Sequence, residues 1–231
     1  MLRASAASGS VKRVVVTSSL AAVRPASPAR ADVRTLTEDD RADAAASDDA
    51  YQKSKTLAER AAWDFARADG GIELAVINPG MVLGPVQAKA FSSSLEPVRR
   101  LLAREIPGAP RLGWAIVDVR DLAVAHRLAM EIPEAAGNRY ICAGPHVWVR
   151  DMAKILAARY RVPTRPHPYA ALWAAGRFDP AIRGILSWVG QRELASADKA
   201  RRELGWTMRP LEETLFDTAA SLIEHGVVTI R

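Results

Sequence analysis

With 231 residues, 49% of them hydrophobic, the chain is long enough to bury a sizeable core as one large domain or two small ones, which excludes a wholly disordered protein. The formal charge of +6 does not mark a nucleic-acid binder, because the 26 Arg are scattered and often adjoin a carboxylate, as in Arg120-Asp121 and Arg202-Glu203, with no basic stripe interleaved with aromatics. One cysteine, Cys142, excludes an intramolecular disulfide and leaves a Cys-based zinc site short of ligands; with no apolar run able to span a bilayer, the expectation is a soluble cytoplasmic protein without a metal.

Residues 1–10 are mostly small and carry no sustained apolar core, so they do not read as a secretory signal. Residues 12–19, Lys-Arg-Val-Val-Val-Thr-Ser-Ser, are a β-branched run that predicts a buried parallel strand ending in hydroxyls. Residues 20–50 lack periodicity and read as a surface loop with a short turn near 37–40. A helix is expected over 51–68, with Leu57, Ala61, Ala62 and Phe65 on one face and Gly70-Gly71 as its stop. A strand over 72–77 follows, closed by Asn78-Pro79-Gly80.

After an excursion over 86–94, the pattern predicts a helix over 95–105, a strand over 115–119 and a helix from 119 to about 130, with Asp118 or Asp121 at its first turn. A strand over 138–143 and a helix over 149–160 continue the alternation. Beyond 162, proline, aromatic and helical segments dominate, ending in a helix over 211–225. Such alternation argues an α/β fold with parallel strands and right-handed crossovers.

Tyr51 and Lys55 stand four apart at the start of a helix, so their side chains project from one face a turn apart. A neighbouring ammonium favours the phenolate of a group that titrates near pH 10, which lets tyrosine exchange a proton with a carbonyl nearer neutrality. A hydroxyl that holds the substrate oxygen is then wanted, and Ser18 or Ser19, at the carboxyl end of the preceding strand, can supply it. Histidines 126, 146, 167 and 225 form no metal spacing, and His126 reads as a satisfied structural residue. Cys142 reads as a small core residue, and Trp188 and Trp206 as packing anchors.

Four segments taken together carry a family resemblance: Val14-Val15-Val16-Thr17-Ser18-Ser19, Tyr51-Gln52-Lys53-Ser54-Lys55, Ile77-Asn78-Pro79 through Gly84-Pro85, and Val117-Asp118-Val119-Arg120-Asp121-Leu122-Ala123. They resemble successive signatures of the extended short-chain dehydrogenases/reductases of the NAD-dependent epimerase/dehydratase superfamily, nearest the dihydroflavonol-reductase and cinnamoyl-CoA-reductase-like aldehyde reductases. The stretch from Lys199 to Trp206, with Arg209-Pro210-Leu211, is similar to the C-terminal signature of the same superfamily. The resemblance implies an α/β chain whose residues 1–160 form the C-terminal portion of a Rossmann-like, doubly wound parallel sheet, with a mainly helical substrate-binding region over 161–231.

It implies a catalytic triad in which Ser19 orients the substrate oxygen, Tyr51 is the general acid or base, and Lys55 lowers its pKa and holds the cofactor ribose. Ser18 is the alternative hydroxyl and a further cofactor contact. Pro79, Gly80 and Val82 would lie along the nicotinamide of NADP or NAD, or else form a turn that only packs. Gln87, Phe91, Tyr169 and Trp173 would shape the substrate site, and the apolar residues over 82–91 tilt the expectation toward a hydrophobic carbonyl.

A member of this family should open with a strand, a glycine-rich turn and a helix that receives the pyrophosphate. Gly9 is the only glycine before Gly70, and residues 1–10 resemble the tail of a helix that precedes the first strand. The Val14–Val16 strand is therefore expected as an apolar edge that invites a partner, such as a second copy. An internal start, a short paralogue that dimerises, and a degenerate binding protein are the three explanations. The implied function is an NAD(P)-dependent oxidoreductase acting on a carbonyl or alcohol of a small molecule. The alternatives are a nucleotide-sugar epimerase or dehydratase, and a cofactor-free binding or regulatory protein.

Overall fold

The computed structural model describes residues 1–25, 34–69, 71–89, 92–178 and 180–230, apart from the side chains of residues 69, 175 and 180–182. Helix α1 (Leu2–Ala7) leads to strand β1 (Arg13–Thr17), and α2 (Ala50–Asp69) crosses to β2 (Glu73–Pro79) and the short β3 (Met81–Leu83). Then come α3 (Glu96–Leu102), β4 (Gly113–Asp118), α4 (Val119–Glu131), β5 (Arg139–Cys142), β6 (His146–Trp148) and α5 (Val149–Leu156). The C-terminal segment holds α6 (Tyr169–Ala175), α7 (Pro180–Ile185), α8 (Asp198–Leu204) and α9 (Leu211–Glu224).

Strands β1, β2 and β5 form a parallel sheet in that spatial order, with Val15 opposite Ala75 and Ile77 opposite Tyr140. Residues Leu74 to Ile77 of β2 are at most 2% exposed, the near-continuous burial of a central parallel strand covered on both faces. Under one face, Ala75, Ile77 and Tyr140 pack with Ala125 and Ala129 of α4 and with Trp206. On the other, Leu74 and Val76 pack with Ala62 of α2. Among the described residues β1 pairs with β2 alone, and Val14 to Val16 stay half-buried, as expected of an apolar edge.

The expectation of parallel strands holds for that sheet but not for the whole chain. A second sheet, β3-β4-β6, pairs β3 with β4 in parallel and β4 with β6 antiparallel. Gly113, opposite Trp148, makes the antiparallel approach possible: a Cβ there would lie 2.5 Å from both the Val147 carbonyl oxygen and His146 Nε2. Around this sheet Val98, Leu101, Met152, Leu156, Leu215 and Leu222 join α3, α5 and α9 in the largest apolar core.

Two further expectations are corrected. The buried face of α2 is Gln52, Thr56, Glu59 and Ala62, while Leu57 is 53% exposed and Ala61 is exposed; a polar network beneath the helix, not an apolar stripe, sets its orientation. Residues 20–50 do not simply cover the surface, since Leu20, Val23 and Leu36 are buried against Ile141, Ala143 and Ala115, as single anchors without a period. The turn near 37–40 is present, with the Asp40 amide donating to the Thr37 carbonyl at 3.1 Å. Among the described residues no helix is long and apolar enough to cross a membrane.

Candidate active site

The carboxyl end of β1 and the start of α2 are locked together. Ser47 Oγ donates to Gln52 Oε1 at 2.7 Å, Gln52 Nε2 donates to the Arg24 carbonyl at 2.8 Å, and the Tyr51 amide donates to Asp49 Oδ1 at 2.9 Å. One turn on, Lys55 Nζ reaches the Thr17 carbonyl at 3.5 Å. Ser19, in extended conformation, caps a short 3-10 turn over Leu20–Ala22 by accepting from the Ala21 amide at 3.1 Å. Tyr51 is 55% exposed, and among the described residues its hydroxyl forms no hydrogen bond.

Ser19, Tyr51, Lys55, Pro79 and Gly80 all line one cavity of about 490 Å³ at the carboxyl ends of β1 and β2. The rest of its wall combines the apolar Leu20, Ala21, Met81 and Pro97 with Arg24, Trp114, Glu193 and the Ser92-Ser93-Ser94 run, the last four features not being marked by any sequence motif. Arg24 and Glu193 lie 169 positions apart and meet through their ion pair. A second cavity, of about 530 Å³, opens between α2 and the start of β5, lined by Glu59, Arg60, Arg139 and Lys199, and holds none of the candidate residues.

The structure separates the two serines. Ser18 is 5% exposed and its hydroxyl donates to Glu59, which also accepts from Asn78 Nδ2 at 2.8 Å, so Ser18 faces away from the cavity. Val82 is half-buried against the core around Val117 and lies outside the cavity wall. Gly80 serves packing, since a Cβ would fall 2.2 Å from the Ala115 carbonyl oxygen; its part in the cavity is played by backbone.

Of the residues expected to shape a substrate site, Gln87 is exposed and Phe91 lies outside the described residues. Tyr169 and Trp173 are 52% and 50% exposed, and Trp173 borders a separate cavity with Arg177 and Arg183. None of these described side chains reaches the cavity that holds Tyr51.

His126 and His146 have structural partners. His126 Nδ1 lies 2.8 Å from the Leu122 carbonyl, which can only accept, so in the neutral ring Nε2 accepts from Thr17 Oγ1 at 2.7 Å. His146 Nδ1 accepts from the Glu193 amide at 3.1 Å, and burial, then Arg192, holds this imidazole below its ordinary value. Burial raises the Cys142 thiol, as befits an inert core residue. Trp206 is fully buried and donates to the Asp121 carbonyl at 2.7 Å, a packing anchor. Among the described residues no group of three His, Cys, Asp or Glu is placed to hold a metal ion.

Residues 1–143 match the profile of the NAD dependent epimerase/dehydratase family. Cinnamoyl-CoA reductase 2 of Arabidopsis thaliana is 31% identical over 226 residues, covering 96% of this chain and 62% of its own length. The ketoreductase azaE of Aspergillus niger is 32% identical over 227 residues, covering 94% and 64%. The chain thus spans less than two thirds of the length of these relatives. Among solved structures, the yeast methylglyoxal/isovaleraldehyde reductase Gre2 complexed with NADPH aligns with a TM-score of 0.70 at 28% identity, over 95% of this chain and 66% of that one. With its motifs, its parallel sheet and its match over residues 1–143, the chain belongs to the NAD dependent epimerase/dehydratase family, among the extended short-chain dehydrogenases/reductases.

Proposed function

We propose that the protein is an NAD(P)-dependent oxidoreductase that reduces the carbonyl of a small organic molecule or oxidises the corresponding alcohol. The observation that carries this reading is the convergence of Ser19, Tyr51 and Lys55 with Pro79 and Gly80 on a single cavity at the carboxyl ends of parallel strands, where α/β sheets present their ligands. The cofactor is NADP(H) or NAD(H), and the NADPH held by Gre2 supports the phosphorylated form.

The residues present fit the nicotinamide end of such a cofactor. Among the described residues Lys55 makes one long contact, to the Thr17 carbonyl at 3.5 Å, which leaves donors for a pair of ribose hydroxyls. Pro79 and Gly80 offer backbone at the cavity rim. When bound at this end of the cavity, the nicotinamide would supply or accept the hydride. Tyr51 protonates the carbonyl oxygen in reduction and takes the proton back in oxidation. Ser19 donates a hydrogen bond to the same oxygen, where negative charge develops.

Supporting the wider setting, Cys142 is a buried free thiol, which suits a reducing compartment such as the cytoplasm. Among the described residues β1 pairs on one side alone, and its half-buried, apolar edge supports a homodimer. Titration of the purified chain with NADPH and NADH, followed by nicotinamide fluorescence, tests the reading. Saturable binding in the micromolar range is expected; a folded chain that binds neither would contradict it and favour a cofactor-free binding protein.

A further inference from the structure

Ser18 and Ser19 are neighbours, yet one is buried on Glu59 and the other faces the cavity. The cause lies in β2. Thr17 stands opposite Ile77, and the Ser18 amide extends the parallel ladder by donating to the Ile77 carbonyl at 2.8 Å. The next rung of such a ladder would run from the amide of residue 79 to the Ser18 carbonyl. Residue 79 is proline and has no N–H, so the ladder stops there, and the Gly80 amide donates instead to the Cys142 carbonyl at 3.2 Å.

The side chain of Asn78 takes over where the ladder ends. It is fully buried; Nδ2 donates to the Ser19 carbonyl at 3.0 Å and to Glu59 Oε2 at 2.8 Å, and Oδ1 accepts from Arg139 Nε at 3.3 Å. Both amide protons are therefore committed. Ser19 also accepts from the Ala22 amide at its carbonyl, at 2.9 Å, and from the Ala21 amide at Oγ, at 3.1 Å, but these bonds lie within its own 3-10 turn. Among the described residues, Ser19 is hydrogen-bonded to the sheet through Asn78 alone. The second Asn78 proton reaches Glu59, one turn beyond Lys55 on α2, so a single side chain links the elements that carry Ser19, Tyr51 and Lys55.

We propose that Asn78 is a positioning residue for the reaction: its amide fixes the turn that carries Ser19 against the sheet and against Glu59, and so sets where the Ser19 hydroxyl meets the substrate oxygen. The proposal rests on the reductase reading for the role of Ser19. It assigns Asn78, which does not line the cavity, a part that no contact with the substrate would reveal.

The test inverts the network without unpairing it, by combining Asn78→Asp with Glu59→Gln. The new carboxylate stays beside Arg139 and accepts from the new amide, which keeps a second donor for Ser18; the Ser19 carbonyl loses its donor. Amide exchange followed by NMR is expected to quicken at least about tenfold at Ala21 and Ala22, with Val15 and Val76 unchanged. The kcat for carbonyl reduction is expected to fall about tenfold with the KM for NADPH little changed, and to fall no further when the pair is added to Ser19→Ala. Unchanged exchange at Ala21 and Ala22 would overturn the proposal, and so would an undiminished fall in kcat on the Ser19→Ala background. If the pair does not fold, Asn78→Ser, too short to reach Ser19 and Glu59 together, takes its place. Failure of the parent reading looks different. A wild type without turnover contradicts the reductase, and the exchange rates then decide whether Asn78 holds the turn, whereas Tyr51-dependent turnover with unchanged exchange removes only the role of Asn78.

Discussion

Glu59 of α2 and Arg139 of β5 form an ion pair, 2.9 Å from Oε1 to Nη2, with side chains 6% and 5% exposed. Arg139 also donates through Nη1 to the Asp40 carbonyl at 2.9 Å and through Nε to Asn78 Oδ1 at 3.3 Å. Burial lowers the guanidinium below its ordinary value, and the Glu59 carboxylate opposes that fall. The pair ties the helix that carries Tyr51 to the sheet beneath it. Arg139→Met would strand a buried carboxylate and is expected to cost about 3–5 kcal/mol by urea unfolding. Replacing both partners, as Glu59→Leu with Arg139→Met, is expected to recover part of that loss, and a double mutant no more stable than Arg139→Met would argue against an uncompensated charge as the cause.

The neighbouring serines are expected to behave as opposites. Ser18 is buried on Glu59, so Ser18→Ala should lower stability by about 1–3 kcal/mol, the cost of a lost hydrogen bond to a charged group. Ser19 faces the cavity, so Ser19→Ala should lower kcat/KM for carbonyl reduction by about tenfold or more with a smaller change in Tm. Paired melting curves and turnover assays distinguish the two, and a reversed pattern would place Ser18 in the site.

Two glycines separate steric need from conformational need. At Gly80 an added Cβ would strike the Ala115 backbone carbonyl at 2.2 Å, a group that cannot swing away. Gly205 ends α8 at φ 63°, with nothing within 4 Å of an added Cβ. Gly205→Ala is expected to cost about 1–2 kcal/mol for the left-handed conformation alone, and Gly80→Ala more than that. Chemical denaturation of both variants checks the order.

Glu96 gives a signed dependence on pH. A hydrogen bond from Arg99, then one from Arg100, holds its carboxyl at about 2, below the ordinary value of 4.5. A depressed carboxyl contributes stability that is present above the unfolded value and is lost as pH falls from about 4.5 toward about 2. Glu96→Gln is therefore expected to flatten the stability profile between those limits while changing its shape little above pH 6. Melting temperatures across the acid range measure this, and an unchanged acid slope would contradict it.

The elements that carry the candidate site were legible where chemistry repeats as a local pattern. Ser19, Tyr51 and Lys55 belong to a strand end and a helix start, and both elements formed where the pattern placed them. The buried face of α2 was not legible, because Gln52, Thr56 and Glu59 are polar residues whose burial is compensated by Ser47, Asn78 and Arg139 from elsewhere in the chain. The second sheet was missed because β3 and β6 have three residues each, too few to show a period of two. Arg24 and Glu193 went unseen for a related reason: their meaning lies in a contact between distant segments.

The most direct measurement of the central claim is NADPH-dependent reduction of a small carbonyl compound by wild type and Tyr51→Phe. Tyr51 is 55% exposed and its hydroxyl forms no hydrogen bond among the described residues, so the variant should melt like the wild type. The account expects kcat to fall by about 10²- to 10⁴-fold, the scale of general acid catalysis, with NADPH affinity little changed. A Tyr51→Phe protein that turns over at the wild-type rate would contradict the assignment of Tyr51 as the proton donor, and with it the proposed reaction at this cavity.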